Sequence, residues 1–108
     1  MAPMAVAGII ELQGRVIDEA RLTQLCEQFG VAELAVFGSV ARGEASPDSD
    51  IDLLYVLAPG SRLGFSLFDL EDGLAELFGR PVDLVSKAAV HRLIRERVLV
   101  DARVVYAA

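Results

Sequence analysis

Two carboxylates stand one residue apart in the run Asp50-Ile51-Asp52-Leu53-Leu54, whose other members are apolar. On a strand, residues two apart share a face, so Asp50 and Asp52 project together while Ile51 and Leu53 point the other way. Like charges on one half-buried face repel, and the repulsion raises a pKa unless a cation intervenes. A divalent metal is the economical answer. Hard carboxylate oxygens favour Mg²⁺, which completes its shell with water and substrate phosphates. Upstream, Gly38-Ser39 closes a short apolar segment. A glycine turn there exposes backbone N–H groups, the Ser39 hydroxyl adds a donor, and both suit phosphate oxygens. Metal-binding carboxylates opposite a phosphate cradle make a site for a nucleoside triphosphate.

Two other motifs fail on particular residues. The run Gly38 to Gly43 has the glycine spacing of a P-loop, but Glu44 and Ala45 stand where the lysine and the hydroxyl are required. Asp48, Asp50 and Asp52 imitate the first ligands of a calcium EF-hand, yet Leu53 takes the glycine position and Pro59 the glutamate.

The elements that must position these residues follow from periodicity. Leu22, Leu25 and Phe29 recur at helical steps over residues 18–29, and Gly30 supplies a stop. Residues 34–37 and 50–57 read as buried strands, the second entered through the turn-forming residues 46–49 and ended by Pro59-Gly60. A helix over 66–78 places Leu67, Leu70, Leu74 and Leu77 on one face and stops at Gly79. Residues 81–85 read as a third strand and 88–99 as a helix with Val90, Leu93, Ile94 and Val98 inward, before a short apolar segment at 103–106. Three short strands covered by helices describe a small mixed α/β sheet, and pattern alone does not say which strand is central.

A chain of 108 residues accommodates one domain, residues 1–108, with a single modest core and no second lobe for a substrate. The formal net charge of −6 argues against general nucleic-acid binding, which needs a basic footprint. The charge is uneven: residues 1–86 hold five basic and fourteen acidic residues, residues 87–108 five basic and two acidic. A lone cysteine, Cys26, excludes an internal disulfide and fits a reducing cytoplasm; its place on an apolar stripe reads as core. The apolar start has no preceding Lys or Arg, is too short to span a bilayer and ends at Glu11, so neither a cleaved signal nor a membrane anchor is expected.

Gly38-Ser39, ten residues and then Asp50-Ile51-Asp52 match the G-S-x₁₀-D-x-D signature of the DNA polymerase beta-type nucleotidyltransferase superfamily. The fuller GSVARGEASPDSDIDLL resembles its smallest branch, the minimal nucleotidyltransferase (MNT) domain proteins, and the likeness runs through most of the chain. The resemblance implies a polymerase beta-like fold and a third carboxylate on a later strand, a position matched by Asp83 in Gly79-Arg80-Pro81-Val82-Asp83-Leu84-Val85. It implies that Asp50, Asp52 and Asp83 hold two Mg²⁺ ions, that Asp83 accepts the proton of an attacking hydroxyl, and that ATP is the substrate. The best-known members of this branch are antitoxins that transfer AMP to a tyrosine of a HEPN-domain ribonuclease toxin, which implies that toxin as partner in a hetero-oligomer. Two other readings remain: modification of a small molecule such as an aminoglycoside, and an antitoxin that acts by binding alone.

Several residues carry two readings. Ser39 suits a phosphate ligand or a helix N-cap, and one hydroxyl can do both. Arg42 reaches either the triphosphate or acceptor, or pins its own loop by pairing with Glu44, Asp48 or Asp50. His91 and the arginines at 92, 95, 97 and 103 read as a solvated helix face, and Tyr55 and Tyr106 as strand packing. A partner-facing apolar surface is expected from the composition, but no particular residues mark it.

Overall fold

The computed structural model describes residues 9–12, 15–41, 49–90 and 95–108. Strands β1 (Ile9–Leu12) and β2 (Arg15–Asp18) pair as an antiparallel hairpin with Ile10 opposite Ile17. Alternation along β2 sends Ile17 into the core and leaves Val16 outside. Neither strand was expected from the sequence. Asp18 then caps helix α1 (Glu19–Phe29): its carboxylate accepts the backbone N–H of Ala20 at 2.9 Å and of Arg21 at 3.3 Å. Gly30, at a left-handed φ of 72°, ends the helix.

Strand β3 (Val31–Phe37) runs directly into the short helix α2 (Gly38–Ala41). Strand β4 (Ile51–Leu57), helix α3 (Ser66–Phe78) and strand β5 (Val82–Ser86) follow, close to their expected places. The sheet has four strands in the order β5-β4-β3-β6, where β6 is Arg103–Ala107. The β4–β5 pairing is parallel and the other two are antiparallel, so the mixed α/β sheet is as expected and β3 and β4 form its centre. The apolar tail is the additional edge strand, with Tyr106 opposite Leu34.

The helix expected over 88–99 is not continuous. A single 3-10 turn covers Lys87–Ala89, Val90 is extended, and helix α4 spans only Arg95–Asp101, residues 91–94 lying outside the described set. Pairing of Ser86 with Tyr55 carries β5 to Ser86, so the chain must turn before it can coil; register overrides helical periodicity here.

One face of the sheet carries Leu34, Val36, Ile51, Leu53 and Leu84, packed against Leu22 and Cys26 of α1 and Leu70, Leu74, Leu77 and Phe78 of α3. Burial of each large apolar side chain contributes about 1.5–3 kcal/mol. The expected core position of Cys26 holds, and Tyr55 and Tyr106 pack against the same cluster. Gly73 lets the two helices approach, since a β-carbon there would lie 3.0 Å from Leu25 Cδ1. By strand alternation and register, Ala35, Leu54, Asp52 and Asp83 occupy the other face. Among the described residues no helix is long and apolar enough to cross a membrane.

Candidate active site

The parallel ladder makes Asp52 and Asp83 direct register partners. Neighbouring strands lie about 4.8 Å apart, and residues paired in register point to the same face, so the two carboxylates rise side by side. Asp52 is half-buried on the inner strand, whereas Asp83 is exposed on the edge strand. This juxtaposition depends on strand order and is absent from local sequence.

On the opposite flank of β4, Phe37 is the register partner of Asp52, which puts the next residue, Gly38, at the same end of the sheet. Gly38 has a φ of 74°, and a β-carbon there would stand 2.5 Å from Asp52 Oδ2. Its missing side chain therefore makes room for the carboxylate, a role the G-S spacing did not reveal. Ser39 follows within α2, so its backbone belongs to the same end of the sheet.

Asp50 lies just outside the strand. The strand begins at Ile51, whose N–H donates to the Pro81 carbonyl at 2.9 Å, and Asp50 lies exposed just before it. The ladder stops there because Pro81 has no N–H to continue it and the chain beyond Phe37 has already turned into α2. Asp50 therefore stands at the mouth of β4, one residue before the strand and two before Asp52. Arg42 and Gly43 lie outside the described residues.

Among the described residues no three His, Cys, Asp or Glu groups already converge as a metal cluster. The Asp52–Asp83 pair still fits Mg²⁺ by its donor chemistry: hard anionic oxygens on one face, one of them seated against a glycine, with Asp50 two residues away. The arrangement is suited to gathering a cation with its phosphates at an open sheet end. Two surface hollows lie elsewhere. One of about 200 Å³ is bounded by Arg21, Gln28, Gly73 and Leu77 between α1 and α3, and the other, of about 470 Å³, by Glu71, Ala75, Arg80 and Val82. Neither is lined by the carboxylates of the site.

The thiol of Cys26 has no part in this chemistry. Burial, with a smaller contribution from the Glu27 charge, pushes its pKa up to about 12, so it stays protonated at neutral pH. Burial, then Cys26 and Glu27, also raises the Tyr106 phenol above its ordinary value.

Known proteins resemble this chain over most of its length. Protein adenylyltransferase MntA of Thermococcus cleftensis is 40% identical over 96 residues, which is 89% of this chain and 94% of that protein. A solved structure assigned as a minimal nucleotidyltransferase is 44% identical with a TM-score of 0.66, over 79% of this chain and 85% of the other. A chain in the complex of a tri-AMPylated Shewanella oneidensis HEPN toxin with MNT antitoxin shares the fold at 18% identity and a TM-score of 0.58, over 82% of this chain and 69% of its own. The Nucleotidyltransferase domain family matches residues 20–106, a span holding both the glycine turn and all three aspartates, and the chain belongs to that family, in its minimal branch.

Proposed function

We propose that this nucleotidyltransferase moves AMP from ATP onto a hydroxyl of a partner protein, the partner being a HEPN-domain toxin and the acceptor a tyrosine. The observation that carries the reading is the register pairing of Asp52 with Asp83 beside a glycine that makes room for Asp52. The adenylyltransferase name of the Thermococcus cleftensis relative and the AMPylated HEPN toxin of the Shewanella oneidensis complex support the donor and the acceptor class.

Asp50, Asp52 and Asp83 would hold two Mg²⁺ ions. Bound there, Mg²⁺ neutralises triphosphate charge and favours in-line displacement. Gly38 and Ser39 lie at the same sheet end, where their backbone N–H groups bind phosphate oxygens. The acceptor oxygen attacks the α-phosphorus; the new O–P bond forms as the bridging bond to the β-phosphate breaks, and pyrophosphate leaves. The hydroxyl proton passes to Asp83, which is exposed on the edge strand and so accessible to a bulky protein acceptor.

Co-expression with the HEPN protein followed by intact-mass measurement tests this. The expected result is one or more AMP increments on the partner, absent with Asp52→Asn. AMP found only on a small molecule would overturn the protein acceptor, and full neutralisation of the toxin by Asp52→Asn would show that binding alone suffices.

A further inference from the structure

Helix α3 carries a complete inner stripe in Leu70, Leu74 and Leu77, yet two more large apolar residues stand on its opposite side. Phe65, the residue before its first turn, is 91% exposed, and Phe68 is 61% exposed. At 100° per residue, Phe65, Phe68, Asp69, Asp72 and Glu76 fall on one outward stripe, away from the leucines. The stripe is therefore apolar at the start of the helix and anionic along the rest. Isolated exposed apolar residues are ordinary, but paired aromatics one helical turn apart, continuous with a row of carboxylates, have the composition of an interface anchor with a charged rim.

Its position separates it from the carboxylates of the site. Strand β4 leaves Asp52 and ends where the Ala58 N–H donates to the Gly30 carbonyl, and α3 starts from that far end. The helix then returns about 18 Å, at 1.5 Å per residue, towards β5. It also lies on the core face of the sheet, whereas Asp52 and Asp83 lie on the other. A partner held on this stripe leaves the carboxylates open.

We propose that the Phe65–Phe68 stripe docks a basic protein that presents an apolar pocket framed by Lys and Arg. Charge complementarity selects that occupant: Asp69 and Asp72 continue the patch, with Glu76 beyond them paired to Arg21 at 3.7 Å, in a chain whose formal net charge is −6. A second copy meeting the first through this same stripe would set like charges against each other, and an anionic lipid surface would repel the same row. The proposal rests on the acceptor reading above for its partner, because a ribonuclease must be basic where it holds RNA. It adds that the partner is gripped at a surface remote from the site of transfer.

The test is titration calorimetry of the full chain with the HEPN protein at low and high salt, beside sedimentation of the chain alone and intact-mass measurement. Phe65→Ser/Phe68→Ser, at exposed positions, is expected to keep the wild-type melting temperature while weakening binding at least about tenfold. Asp69→Asn/Asp72→Asn is expected to flatten the salt dependence, and Asp52→Asn to bind as the wild type does. Unchanged affinity in the phenylalanine variant overturns the proposal and leaves the AMP-transfer reading intact. Phenylalanine-dependent binding with no AMP ever transferred supports the docking surface and sinks the transfer reading. Wild-type self-association lost in the phenylalanine variant, or no binding of the HEPN protein at all, overturns the assigned occupant.

Discussion

The α-carbon of Gly38 lies so close to Asp52 that a β-carbon would stand 2.5 Å from Oδ2, on a backbone already turned to a φ of 74°. Gly38→Ala must therefore displace the carboxylate and strain the turn together. A left-handed conformation costs a residue with a β-carbon about 1–2 kcal/mol, and misplacing a reacting group by an ångström costs about 100-fold in rate. Thermal unfolding and initial rates of AMP transfer are expected to show both losses, the second much the larger. A fully active Gly38→Ala protein would show that Asp52 does not need its present position.

Asp52 and Asp83, brought side by side by the parallel ladder, predict a metal-dependent stability. The melting temperature is expected to rise on adding Mg²⁺ and return on adding a chelator; a ligand at 100 times its Kd contributes about 2.7 kcal/mol. Asp52→Asn/Asp83→Asn should abolish the rise. Asp83→Asn alone is expected to slow AMP transfer by about 10²–10⁴-fold, the range for loss of a general base. An undiminished Mg²⁺-dependent shift in the double variant would place the ion elsewhere.

Cys26 predicts an alkaline limit. Its folded pKa is raised to about 12 from 9.0, so above pH 9 the unfolded chain ionises this thiol while the folded chain keeps its proton. Fewer protons are then bound in the unfolded state, and folding stability falls as pH rises from about 9 towards 12. The stabilisation is fully present below pH 9. Denaturant titrations across that window are expected to slope less for Cys26→Ala than for the wild type, and identical slopes would contradict the assignment.

Asp18 joins the hairpin to α1 by accepting two backbone N–H groups. Asp18→Ala is expected to cost about 0.5–2 kcal/mol, as loss of an N-cap does. The cap lies outside the carboxylate pair, so the transfer rate per folded molecule should hold while the denaturant midpoint falls.

Helices α1 and α3 were legible in the sequence, whereas the helix expected over 88–99 was not continuous. The leucine repeat and Gly79 delimit α3 over Ser66–Phe78, and Leu22, Cys26 and Gly30 mark the buried stripe and end of α1. Their signals are local, because an intrahelical period is written within one or two turns. Strands β1, β2 and β6 were missed because pairing is what defines them, β1 with β2 in a hairpin and β6 with the distant β3 at the sheet edge. Phe65 and Phe68 were visible as residues but not as exposed ones, since exposure depends on which helix face the sheet covers.

By itself the sequence determined the chemistry available: a glycine turn, a D-x-D pair and a later aspartate, with the family those residues carry. Only the tertiary structure decided their relations. It set Asp52 inside β4 and Asp50 just outside it, seated the Asp52 carboxylate against Gly38, and chose Asp83 as its register partner. Residue type is a property of one position, whereas register and face are relations between strands, fixed by the burial of one sheet face against α1 and α3.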